Sequence, residues 1–221
     1  MHRGVGAVKT ILMIVTAMAV FASVVSADEM QMSRFSSEGL AGWETKNFKG
    51  ATDYTLVKEE GRTVVRAVSW NAASGLIRKF SFAPEKYRYL RWSWKISRTI
   101  PGGDEKIRSG DDYAARIYLI FPGRFFWQTK AVNYIWANRL TKGASAANAF
   151  TSGAMMIAVE SGDAMAGQWL TEQRDIVADY RLLFGSEPPE GKAIAIMTDT
   201  DNTGASAEAW YGEISLATEG K

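Results

Sequence analysis

Hydrophobic and polar positions along this chain alternate mostly with a period of two. Leu90–Ser97 (LRWSWKIS) is the cleanest case. Leu90, Trp92, Trp94 and Ile96 fall on one face of an extended strand, and Arg91, Ser93, Lys95 and Ser97 on the other. Thr63–Trp70, Ala115–Phe121, Ala131–Ala137 and Met155–Glu160 read as further strands, and Lys192–Thr198 with Glu208–Ala217 as a closing antiparallel pair. One segment departs from this period: between Gln173 and Phe184, the residues Ile176, Tyr180, Leu183 and Phe184 recur at helical spacing. Gly185 and Pro188-Pro189 stop that helix, and Thr171 is its expected N-cap. Gly102-Gly103 and Lys142–Ala149 read as mobile loops too short to separate domains. The pattern predicts a mainly β sandwich or barrel with one short helix near 171–184, in a single domain over residues 28–221.

The first 27 residues carry a different pattern. Arg3 and Lys9 precede an apolar run from Ile11 to Val25, and Val25-Ser26-Ala27 places small residues at the positions a signal peptidase reads. A cleavable signal peptide over residues 1–27 is expected, with Asp28 as the mature N-terminus and a periplasmic or secreted location. The alternative is an N-terminal anchor, for which the apolar run is short of the roughly 20 residues that span a bilayer. No later stretch is apolar enough to span one.

Composition then narrows the chemistry. With 221 residues and 47% apolar, the chain has enough material for a real core. It has no cysteine, which excludes disulfides, iron–sulfur clusters and thiolate nucleophiles. Its single histidine, His2, lies within the signal, so histidine catalysis and histidine-ligated metals leave the mature chain with it. Loss of Arg3 and Lys9 leaves 24 basic against 24 acidic residues, and a neutral chain makes no electrostatic case for nucleic acid.

Several stretches carry a family resemblance: Arg91-Trp92-Ser93-Trp94-Lys95, Ser109–Arg116 (SGDDYAAR), Tyr134-Ile135-Trp136-Ala137, Arg174-Asp175, Asp179-Tyr180, Phe184-Gly185 with Pro188, and Asp199–Gly204 (DTDNTG). From about Phe35 to Leu216 the sequence resembles the bacterial family DUF3047, a domain of unknown function. The resemblance lends no chemistry. Its strand pattern is similar to the jelly-roll antiparallel β-sandwiches of many carbohydrate-binding modules, an analogy of fold.

A few polar residues stand in places that need a reason. Asp111 and Asp112 precede an apolar strand, and Arg116 lies within it; in a regular strand Asp112, Ala114, Arg116 and Tyr118 share a face. Such an arginine needs an anionic partner or open water. Either it pairs with Asp199 or Asp201 from a neighbouring strand, or it clamps a ligand on a cleft floor. Asp199-Thr200-Asp201-Asn202-Thr203-Gly204 has the composition of a hairpin turn, and its oxygens also suggest a calcium site on Asp199 and Asp201. An EF-hand is excluded, because Trp210 stands where its bidentate glutamate belongs. Trp127, in the expected loop Arg124–Gln128 (RFFWQ), is a candidate for stacking on a sugar or touching a membrane or partner.

The ligand-binding candidates are therefore Asp111, Asp112, Arg116, Asp199, Asp201, Asn202 and Trp127. The leading reading is an exported, non-catalytic β-sandwich binding a glycan or cell-envelope component, with no cofactor expected and Ca2+ on Asp199 and Asp201 as the one candidate. Two alternatives stay open. One is a carboxylate-dependent glycosidase or lyase using Asp112, Asp199, Asp201 or Glu208, with Lys95 or Tyr113 as a lyase base. The other is a structural envelope-assembly protein.

Overall fold

The computed structural model describes Met1 and residues 28–220. The rest of the expected signal segment lies outside the described residues. The strands are β1 (Glu29–Gln31), β2 (Trp43–Lys49), β3 (Asp53–Glu59), β4 (Arg62–Trp70), β5 (Ala73–Phe82), β6 (Tyr89–Ile96) and β7 (Tyr113–Phe121). They continue with β8 (Lys130–Ala137), β9 (Ser145–Ala147), β10 (Ala154–Ser161), β11 (Leu170–Asp175), β12 (Gly191–Asp199) and β13 (Ser206–Ala217). Among the described residues one α-helix, α1 (Ile176–Phe184), occurs, between β11 and β12.

Two sheets face each other. One has the order β11-β6-β13-β4-β3 with β1 added beside β13, and the other the order β2-β5-β12-β7-β8-β10-β9. All pairs are antiparallel except β8 with β10, which run parallel. The expected β-sandwich is what forms, with the expected helix as the one α-helix among the described residues. Trp92, Trp94, Ile96, Ala209, Ile214 and Leu216 from the six-stranded sheet meet Ile117, Leu119, Tyr134, Trp136, Ile194 and Ile196 from the seven-stranded one in a single buried cluster. Trp92 stacks on Tyr134 at 5.4 Å and Trp94 packs against Trp136 at 5.7 Å, so large rings fill the space between the sheets.

Three local expectations are corrected. Thr171 does not cap a helix: it belongs to β11, opposite Ser93. Asp175 is the N-cap, its carboxylate accepting a hydrogen bond from the Ala178 N–H at 3.0 Å. The strands β12 and β13 do not pair with each other; each joins a different sheet, and the turn between them crosses the sandwich edge. The stretch read as a mobile loop, Lys142–Ala149, contains β9, which pairs with β10. That return is held by Glu105, a buried carboxylate accepting from the N–H groups of Asn138, Arg139 and Leu140 at 2.5, 3.2 and 2.9 Å. Three orphan donors at the bend are thereby satisfied.

Candidate functional site

The expected site residues gather where β7 begins and β12 ends. Pairing between these strands slips by one residue there: Met197 faces Arg116 but Asp199 faces Tyr113. Two β7 residues, Ala114 and Ala115, thus stand against Thr198 alone, which is a β-bulge. Its displaced backbone groups are met by side chains. The Thr198 hydroxyl donates to the Ala114 carbonyl at 2.8 Å, and the Tyr211 hydroxyl accepts from the Arg116 N–H at 3.3 Å. Both alanines turn into the core, whereas Tyr113 comes to the same face as Arg116. The regular alternation expected for Asp112, Ala114, Arg116 and Tyr118 therefore fails. Arg116 lies between the rings of Tyr113 and Tyr118, at 4.5 and 5.5 Å.

Arg116 is 4% exposed and forms an ion pair with Asp199, itself 1% exposed. The other Asp199 oxygen accepts from the Tyr113 N–H at 3.2 Å. Burial pushes the Asp199 carboxyl up, with Asp111 and Asp112 adding to the rise, while the adjacent guanidinium opposes it. Burial and Asp112 likewise raise Asp201. The guanidinium keeps one unmet donor: Arg116 Nε is buried and has no hydrogen-bond partner.

The remaining aspartates are committed to the chain's own turns. One Asp112 oxygen accepts from the Asn202 N–H and side-chain amide at 3.1 and 3.2 Å. The other accepts from the Thr203 N–H and hydroxyl at 2.7 and 2.6 Å. Asp112 therefore closes the DTDNTG turn from across the sheet. Asp111 accepts from the Asn148 side-chain amide on both oxygens and from the Tyr113 hydroxyl, which fastens the β9–β10 connection beside the cluster.

Asp112, Asp199 and Asp201 each bring an oxygen within 4.8 Å of the others, the convergence a cation site needs. Their oxygens are largely engaged by Arg116 and by turn donors, so a calcium site would depend mainly on Asp201 and nearby carbonyls. The same bonds bear on catalysis: Asp112 has both oxygens occupied, and Asp199 is tied to Arg116. Lys95 and Glu208 lie on the six-stranded sheet's outward face, paired with Glu59 and Arg66, with the core between them and the cluster.

Six of the seven candidate residues thus converge. Trp127 does not: it sits beyond the far end of β7, and Arg116 to Phe121 alone spans about 17 Å of strand.

A cleft of about 420 Å³ opens beside the cluster on the outward face of the seven-stranded sheet. Arg116, Tyr118 and Met197 line it, with Asp111, Asp199, Asp201, Asn202 and Asn148 at one end and Phe48 and Phe150 exposed at its rim. An adjoining apolar recess of about 160 Å³ shares Phe48, Tyr118 and Met197 and adds Ile77, Ile120 and Ala195. Sequence reasoning missed Phe48, Phe150 and Asn148. Each stands on a strand end or connection that only the β2–β5 and β9–β10 pairings bring to this face.

Solved structures share this fold. The family 11 carbohydrate-binding module of the cellulosomal cellulase Lic26A-Cel5E of Clostridium thermocellum superposes with a TM-score of 0.51 and 10% identity, over 88% of this chain and 96% of that one. The family 30 module of the cellulosomal cellulase Cel9D-Cel44B of the same organism gives 0.50 and 10%, over 87% and 99%. No curated protein matches by sequence. The family described as "Protein of unknown function (DUF3047)" matches residues 41–215, and the chain belongs to it.

Proposed function

We propose that the protein is an exported, non-catalytic glycan-binding sandwich whose ligand lies in the cleft on the seven-stranded sheet. The observation that carries this reading is one cleft combining exposed rings at its rim with charged and amide side chains at one end. Phe48 and Phe150 offer apolar faces to sugar C–H groups. The Arg116 guanidinium, held in place by Asp199 and flanked by two tyrosines, lines the cleft, and Asp201 and Asn202 can take and give hydroxyl bonds there. A preformed cleft with few polar anchors needs little reorganisation on binding. The carbohydrate-binding modules' shared fold supports the reading by analogy. Export rests on the pattern of residues 1–27.

A glycan array probed with the purified protein tests this directly, followed by calorimetry on any hit. Phe48→Ala with Phe150→Ala is expected to weaken binding about tenfold or more, since each stacked ring is worth roughly 0.5–1.5 kcal/mol. Both rings are exposed, so the fold should survive their loss. Unchanged affinity in that double variant would remove the cleft from the proposal.

A further inference from the structure

The β7–β8 hairpin carries a feature that the cleft does not use. Its tip, Arg124 to Gln128, presents Phe125, Phe126 and Trp127 at 46%, 85% and 66% exposure. No acidic residue occurs from Tyr113 to Val159, whereas Arg116, Arg124, Lys130, Arg139 and Lys142 do. Arg116, Arg139 and Lys142 are neutralised by Asp199, Asp104 and Glu160. Arg124 and Lys130, which flank the tip, make no ion pair among the described residues and rest against the rings of Phe125 and Phe184. We propose that this tip docks on a phospholipid surface carrying anionic headgroups, the rings entering the interface and the two cations meeting phosphates.

Three observations favour lipid over sugar or protein. Phe125 and Trp127 stack on each other at 4.8 Å and 6°, and Phe126 stands edge-on to Trp127 at 5.0 Å, so the ring faces a sugar would use are partly covered. The three rings are exposed and line neither of the clefts described above, so they offer no groove there for a protein segment to fill. Its backbone is also partly satisfied internally. The Gln128 and Thr129 N–H groups donate to the Phe125 and Phe126 carbonyls at 3.0 and 3.2 Å, and the Phe125 N–H donates to Gln128 Oε1 at 3.3 Å. Those three N–H groups need not be carried unpaired into the headgroup layer. Exposed Trp and Phe beside Arg and Lys is the side-chain set that partitions to a bilayer interface.

The chain has no cysteine, so one introduced thiol can be labelled cleanly. In the full-length protein, an environment-sensitive fluorophore on Phe126→Cys is expected to brighten severalfold and shift blue with phosphatidylethanolamine–phosphatidylglycerol vesicles. The same label on Ala51→Cys, exposed at the opposite end of the sandwich, should stay water-like. Adding Arg124→Gln and Lys130→Gln should weaken the response roughly thirtyfold at low salt. Attachment through the N-terminal segment alone would leave position 126 water-like and overturn the proposal. An equal response to phosphatidylcholine vesicles would overturn its anionic component, and a response to glycans but not to vesicles would replace lipid with sugar.

Discussion

Arg116 is the residue on which most of the site turns. A guanidinium held at 4% exposure pairs with a carboxylate that is equally buried. Removing one partner of such a pair leaves an uncompensated buried charge. Arg116→Met is therefore expected to lower stability by about 3–5 kcal/mol. Combining it with Asp199→Asn, which keeps an acceptor for the Tyr113 N–H, should recover a large part of that loss. Urea denaturation of the two single variants and the double closes the cycle. Additive losses would mean that the two side chains do not act as a pair. The need for either an anionic partner or open water was legible in the sequence, because an arginine inside ARIYLIF has few other options. Which aspartate serves followed only from the fold.

At the scale of elements, the bulge opposite Thr198 decides which β7 side chains reach the cleft. Nothing in the TYR-ALA-ALA order of SGDDYAAR announces it, since a bulge depends on what the partner strand and Tyr211 offer to the displaced backbone. The start of α1 shows the same dependence. Thr171 and Asp175 both have cap chemistry, and pairing of Leu170–Asp175 with β6 gives the role to Asp175. Burial alone would raise the Asp175 carboxyl, but Arg88 and the Ala178 and Val177 N–H groups together hold it below its usual range. A carboxyl that titrates lower in the folded than in the unfolded chain stabilises the fold fully above the unfolded value of about 3.9. Its contribution is lost as pH falls through the depressed folded value. Asp175→Ala should cost about 1 kcal/mol near neutrality. The gap from the parent protein should narrow as the pH falls below about 4, as urea melts at the two pH values would show. A gap that stayed constant across that range would argue against the cap.

At the scale of the whole molecule, both sheets and α1 contribute to one buried cluster: Ile176 and Tyr180 of the helix join the same core as Trp92 and Ile194. Among the described residues the only other buried cluster is a small one of Tyr113, Ile135, Ala137, Met156 and Ala158 on strands that also feed the main core, so exported protein is expected to unfold in a single calorimetric transition. The same material, by intact mass, should begin at Asp28. Two resolved transitions would contradict the single-domain expectation, and retention of Met1 would contradict the cleaved signal.

The sequence by itself determined the elements that depend on neighbours a few residues away. Two-residue alternation specified the strands and which face of Leu90–Ser97 is buried, helical spacing located α1, and apolar content required a layered core. Tertiary structure decided whatever depends on residues far apart in the chain. Strand order sent β12 and β13 into different sheets, and β8 and β10 into a parallel pair. Register set Asp199 against Tyr113 and so joined Arg116 to its aspartate, while the length of β7 carried Trp127 away from them. Local patterning cannot encode these outcomes, because each is fixed by how two distant segments share hydrogen bonds and exclude water together.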